Sequence, residues 1–273
     1  MGTTSIRLLR VLVAEDNPVN QLFAARLVEW QGHTARVVSN GQLAIDALRR
    51  ETFDVVLMDL GMPLMDGFEA VRELRQLEKQ TGCHLPVIAM TANATSVDRD
   101  RCLAVGMDDF VGKPVKAADL ATVMARVLQR AAQSCADART PCPVDSGKNE
   151  TSVCDLAAAL RRLDGDLSFL KQLVQLFLDT VPEQLQSLRT AIQDRNGSLI
   201  GDMAHSIKGS VRHFFAGSAY EFAQRLESIS LSGDSVMIEH TYEQLLNQVG
   251  RLQTQLRNML FSLPEIRPNS GVP

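Results

Sequence analysis

The sequence predicts two units of different class, an α/β unit followed by an all-α unit. Three observations carry this. Up to about residue 131, short apolar runs alternate with amphipathic segments, the pattern of a parallel sheet covered on both faces. Residues 132–152 are small and polar and hold two prolines, which reads as a flexible linker. Beyond them every periodic segment has the helical period and the connections are short, the pattern of an up-and-down bundle.

Each element of the first unit has a local reason. "LLRVLVAED" is an apolar run ending in acids, so a strand is expected there. "NPVNQLFAARLVEW" is an amphipathic helix with Asn17 as its cap and Pro18 at its first position. "TARVV" reads as a strand and "GQLAIDALRRE" as a helix. "FDVVLMD" is a near-continuous apolar strand, followed by a helix from about Gly67. "PVIAMTA", "SVDRDRCLAVG", "DDFVG" and "AADLATVMARVLQRA" continue as strand, helix, strand and helix. The result is a doubly wound, flavodoxin-like sheet of five parallel strands.

The second unit begins with "DLAAALRRL" and "DLSFLKQLVQLFLDTV". "PEQLQSLRTAIQ" is expected to restart as a new helix at Pro182. A helix around His205, "SAYEFAQRLESI" and "SVMIEHTYEQLLNQVGRLQTQLRNMLFSL" complete an up-and-down helical bundle, and residues 264–273 read as a frayed tail.

Composition narrows the function. The 273 residues are 45% hydrophobic and 22% charged with a formal charge of −4, which suits soluble domains and not nucleic acid as main partner. No apolar run approaches the ~18 residues of a membrane span, so no membrane insertion is expected. Residues 1–14 lack a signal-peptide cleavage pattern, and a cytoplasmic location is expected. The five cysteines show no metal spacing; Cys83, Cys102 and Cys154 read as thiols, and Cys135 and Cys142 are expected to stay unpaired. Neither GxGxxG nor GxxxxGK occurs, so this chain has no sequence signature of an ATP site.

The polar residues fall at strand ends. Glu15 and Asp16 end the first strand, Asp59 the third, Thr91 the fourth, and Lys113-Pro114 follow the fifth. Ligands of open parallel sheets bind beyond these ends. Three carboxylates close together repel, and a divalent cation with oxygen ligands, Mg²⁺, resolves the repulsion. Phosphoryl chemistry needs a nucleophile, metal charge and a cation on the phosphoryl oxygens. Asp59 would be the nucleophile, Asp16 and Glu15 would hold the metal, and Lys113 and Thr91 would bind phosphoryl oxygens.

A second candidate lies in "AHSIKGSVRHFF", 204–215. Gly209 costs this helix about 1 kcal/mol relative to Ala. Ile200, Met203, Ile207, Val211 and Phe214 form an apolar stripe, and His205 lies about 160° from Ile207. Gly209 follows one turn on, flanked by Lys208 and Arg212. Two readings stand: a solvated polar face, or an exposed imidazole that takes up phosphate beside an ammonium, with Gly209 leaving room for a partner. His213, about 120° off the stripe, is the alternative histidine.

Residues 10–128 resemble a response-regulator receiver domain through "VAEDN", "MDLGMPLMDG", "IAMTAN" and "VGKP". The resemblance implies Asp59 as phosphoacceptor, Mg²⁺ served by Glu15, Asp16, Asp59 and the Gly61 carbonyl, and Lys113 and Thr91 as a coupling pair. It also implies Phe110 as an aromatic switch and a cis bond before Pro114. "MPLMDG" and "GFEAV" look most like receivers attached to hybrid sensor kinases. Residues 155–262 resemble a histidine phosphotransfer (HPt) domain: "AHSIKGS" matches its core of His205, Lys208 and Gly209, while Arg-His-Phe-Phe at 212–215 stands where small residues are usual.

The resemblance divides the chain into a receiver (8–131), a linker (132–152), an HPt domain (153–263) and a tail (264–273). It implies a phosphorelay intermediate, with a sensor histidine kinase and a downstream response regulator as partners. Such a chain is either a stand-alone intermediate or the tail of a hybrid kinase. The other reading is a binding or inhibitory protein controlled by phosphorylation, or a phosphate sink.

Overall fold

The computed structural model describes residues 8–91, 96–132 and 154–262, in two units, Met1–Asn149 and Glu150–Pro273. In the first unit five parallel strands, β1 (Arg10–Ala14), β2 (Thr34–Val38), β3 (Val55–Asp59), β4 (Val87–Thr91) and β5 (Asp109–Gly112), lie in the order β2-β1-β3-β4-β5. Strands β3 and β4 are buried at every residue, so both sheet faces must be covered. The helices α1 (Pro18–Trp30), α2 (Gly41–Arg50), α3 (Gly67–Thr81), α4 (Ser96–Val105) and α5 (Ala117–Ala132) cover them. Side chains alternate along each strand. Leu12, Ala14, Val56, Met58, Val87 and Ala89 pack with Ile45 of α2, Val71 and Leu74 of α3 and Cys102 of α4. Leu57 of the central strand is fully buried; Leu57→Ala would cost about 2–5 kcal/mol.

Two helix starts matter for the strand ends. Asn17 accepts hydrogen bonds from the Val19 and Asn20 amides, with Pro18 opening α1. Asp66 and Glu69 form a capping box at the start of α3. Gly67 lies so close to β3 that a β-carbon there would stand 2.2 Å from the Asp59 carbonyl oxygen. Only glycine lets α3 begin against the end of that strand.

The second unit holds α6 (Leu156–Arg162), α7 (Leu167–Gln193), α8 (Gly197–Arg212), α9 (Gly217–Ile229) and α10 (Ser235–Ser262). Helix α7 neighbours α8, α8 neighbours α9, α9 neighbours α10, and α10 returns to α7. That closes a four-helix bundle, with α6 against α7. Phe177 and Phe214 meet in its core at 5.0 Å between ring centroids. Phe214 of the unusual Arg-His-Phe-Phe run is thus a core residue.

The expected helix restart at Pro182 does not occur. Helix α7 runs unbroken through it. Phe177, Leu178, Val181, Leu185 and Leu188 are buried on both sides of the proline and stay in phase. Their burial, roughly 1.5–3 kcal/mol per side chain, outweighs the ~3 kcal/mol a proline costs a helix interior. No helix among the described residues is long and apolar enough to cross a membrane. Cys83, Cys102 and Cys154 are thiols. The expected linker (132–152), with Cys135 and Cys142, and the expected tail (264–273) fall outside the described residues, apart from Ala132 at the end of α5.

Candidate functional site

Register builds the first site. Ala14 pairs with Met58, Asp59 with Met90, and Thr91 with Gly112. Each strand therefore ends one step from its neighbour, and Glu15, Asp59, Thr91 and Lys113 share one rim where the strand order reverses. The Lys113 amide donates to the Thr91 carbonyl at 2.6 Å, and the Lys113–Pro114 bond is cis. The Lys113 ammonium then reaches back to lie 2.6 Å from both Glu15 Oε2 and Asp59 Oδ2. It is nearly buried, at 12% exposure, and not the surface lysine its place in a loop would predict.

Glu15, Asp59 and Thr91 are buried, and Asp16 is half-buried. Glu15 Oε1 accepts from Asn20 Nδ2 at 2.7 Å, and Gln21 Nε2 donates to the Glu15 carbonyl at 2.6 Å. Burial first, and then the Asp59 charge, push the Glu15 carboxyl up to about 8. Burial alone would lower the Lys113 ammonium, but Asp59 and Glu15 hold it above its ordinary value. Carboxylate oxygens of Glu15, Asp16 and Asp59 lie within 4.8 Å of one another. Glu15 Oε2 and Asp59 Oδ2 are buried in ion contact with Lys113 without hydrogen-bond geometry, which leaves lone pairs for a cation. Three carboxylates against one ammonium, all oxygen donors, fit Mg²⁺. Gly61 is exposed two residues beyond Asp59. Phe110 is half-buried, with the Arg99 guanidinium 5.9 Å from its ring centroid.

The second site lies between α8 and α9. His205 is not free in solvent: its side chain is 29% exposed, and Nδ1 lies 2.7 Å from Glu227 Oε1. The Lys208 ammonium donates to the other oxygen of Glu227. Lys208 is itself buried, so it supports the site from below and offers no docking surface. Burial alone would raise the Glu227 carboxyl; hydrogen bonds from His205 and Lys208 outweigh this and hold it below its ordinary value. An ionised carboxylate only accepts, so in the neutral imidazole Nδ1 carries the proton and Nε2 is left with its lone pair. Gly209 is half-buried one turn beyond. His213, the alternative histidine, is 6% exposed and caps the end of α8. Its burial removes it as a candidate.

Glu227 escaped the sequence reading. It lies 22 residues from His205 and belongs to no local motif. Hairpin geometry would have found it. In an antiparallel pair with a short turn, residues equally far from the turn face each other: Arg212 stacks on Tyr220, His205 meets Glu227, and Gly201 lies against Ser230. That packing is also why His205 is half-covered, since a helical wheel of α8 alone cannot show its neighbour.

Comparison with known proteins finds a family for each unit. The family described as response regulator receiver domain matches residues 11–125, and the Hpt domain family matches residues 172–260. The chain is 28% identical over 256 residues to the sensor histidine kinase GacS of Pseudomonas protegens, which covers 93% of this chain and 28% of that protein. It is 27% identical over 225 residues to the signal transduction histidine-protein kinase BarA of Escherichia coli, covering 82% of this chain and 24% of that protein. The chain thus spans about a quarter of the length of these relatives. Among solved structures, the receiver domain of sensor histidine kinase PA1611 from Pseudomonas aeruginosa, determined with magnesium in its active site cleft, is 36% identical. It covers 45% of this chain and 99% of that one, with a TM-score of 0.41. The chain joins a response regulator receiver domain to an Hpt domain and is a two-component phosphorelay module.

Proposed function

We propose that Asp59 accepts a phosphoryl group from a phosphohistidine in a Mg²⁺-dependent step, and that His205 exchanges phosphoryl groups with a receiver aspartate. The donor on this reading is a cytoplasmic histidine kinase, and the acceptor beyond His205 is a downstream response regulator. The observation that carries the proposal is the bridging of buried Asp59 and Glu15 by Lys113 at the strand ends.

In the first step an Asp59 oxygen attacks phosphorus in line. The N–P bond breaks and its electron pair stays on the donor imidazole. Lys113 and the Thr91 hydroxyl meet the phosphoryl oxygens, and Lys113 exchanges a carboxylate partner for a phosphoryl one. Glu15, Asp16 and Asp59 would hold the cation, with Asn20 keeping Glu15 turned toward it. Bound there, Mg²⁺ supplies positive charge to the phosphoryl oxygens. In the second step His205 Nε2 attacks the phosphorus of an aspartyl phosphate. The O–P bond breaks and the carboxylate leaves with the electron pair. The imidazole becomes cationic, and Glu227 balances that charge through Nδ1–H.

Acetyl phosphate and Mg²⁺ test the first step on the full chain. A hydroxylamine-labile phosphate is expected, lost with EDTA and lost in Asp59→Asn. Undiminished labelling of Asp59→Asn would overturn the assignment.

A further inference from the structure

The first turn of α1 differs from that of α3. At the start of α3 the third helical residue, Glu69, reaches back and accepts the amide of the N-cap, Asp66. The third residue of α1 is Asn20. Asn17, the N-cap of α1, accepts the Asn20 amide at 3.1 Å. The return half of the box is directed elsewhere. Asn20 donates from Nδ2 to Glu15 Oε1 at 2.7 Å, and the Asn17 amide turns to the same oxygen at 3.4 Å. Helix side chains point back toward the N-terminus, so the third residue is well placed to reach a strand end that lies just before the cap. An acid at that place, as in α3, would face Glu15 as a like charge. An amide brings a donor instead.

That donor has a specific effect on Glu15. The carboxylate is buried, and the Lys113 ammonium lies 2.6 Å from its Oε2. An ammonium has three donors and a carboxylate has two oxygens, so the ion pair by itself would allow both oxygens to turn to Lys113. Oε1 is held on the other side, by the start of α1. One oxygen therefore faces α1 and the other faces Lys113, which keeps its contact with Asp59 at 2.6 Å. Gln21 Nε2 fixes the Glu15 carbonyl and not its carboxylate. The shorter of the two contacts on Oε1 is the one from Asn20.

We infer that Asn20 is a positioning residue: it keeps the Glu15 carboxylate from pairing fully with Lys113, and so sets how tightly the Asp59 pocket takes its cation. The inference rests on the phosphorelay reading above and deepens it, because the cation is the one that reading requires. Residues that orient a ligating carboxylate typically contribute about tenfold to a hundredfold in metal affinity.

The test is a double-mutant cycle on the full chain. Mg²⁺ alone is titrated in and followed by amide chemical shifts. Asn20→Ala, a change that α1 tolerates because alanine is a good helix former, should weaken Mg²⁺ binding about tenfold or more. In a Glu15→Ala chain, whose binding is weaker at the outset, adding Asn20→Ala should change it less than about twofold, because the carboxylate that Asn20 orients is gone. A defect in the helix start would weaken binding equally in both backgrounds, and that result would overturn the inference. Binding by Asn20→Ala within about twofold of the parent would overturn it as well. Either result leaves phosphorylation of Asp59 standing. A parent chain that binds no Mg²⁺ at the Asp59 pocket would overturn the Mg²⁺-dependent reading and this inference with it.

Discussion

The two sites mirror each other in charge. In the receiver one ammonium, Lys113, bridges two buried carboxylates, and a third stands beside them. In the bundle one carboxylate, Glu227, bridges an ammonium and an imidazole. The first site has too much negative charge to hold a phosphoryl group without a cation. The second is balanced before phosphate arrives. On the proposed function the difference is a division of labour: the receiver would supply the charge that lowers the barrier, and the bundle would present a nucleophile oriented by Glu227.

The largest effect that would break this contrast is on the receiver side. Lys113→Ala leaves Glu15 and Asp59 facing each other without their cation, and removing one partner of a buried ion pair costs about 3–5 kcal/mol. The sign with pH follows from Glu15. Its folded pKa, about 8, lies above the ordinary 4.5 of a glutamate, so the folded state holds a proton that the unfolded state has released between those values. Stability in metal-free buffer therefore falls as pH rises from about 4.5 to 8, and Lys113→Ala, which removes a charge that lowers the Glu15 value, should carry the fall to higher pH. Thermal melts from pH 5 upward through pH 8 measure it. Equal stability for variant and parent at pH 8 would show that Lys113 does not hold the pocket together.

A smaller effect is expected at the bundle. Glu227→Gln keeps the shape but gives up the charge that balances the imidazolium, and the rate of phosphoryl uptake by His205 should fall about tenfold to a hundredfold. Nitrogen NMR should show a proton on Nδ1 of His205 in the parent and a mixture of tautomers in the variant. An unchanged tautomer with a slowed rate would assign Glu227 a charge role without a positioning one.

What was legible in the sequence follows from how local each feature is. The strand ends were readable because parallel strands deliver their last residues to one rim, so Glu15, Asp59, Thr91 and Lys113 converge once the alternation of strand and helix is recognised. A glycine placed against helix propensity singled out His205 as a candidate, with a solvated polar face as the other reading. Pro182 misled because a local penalty was weighed without the buried stripe on either side of it. The burial of Lys113 and the role of Glu227 needed tertiary knowledge: the first depends on the two carboxylates that Lys113 bridges, and the second is joined to its histidine only by the packing of α9 on α8.

The central claim is that the two sites exchange one phosphoryl group, and transfer between two single-site chains tests it most directly. A His205→Gln chain carrying phosphate on Asp59 is mixed with an Asp59→Asn chain, and the label is followed by its acid and base stability. The account predicts that the hydroxylamine-labile label leaves the first chain as an acid-labile, base-stable label appears on the second, and that His205→Gln in the second prevents this. Decay of the Asp59 label to inorganic phosphate, with the second chain unlabelled throughout, would contradict it.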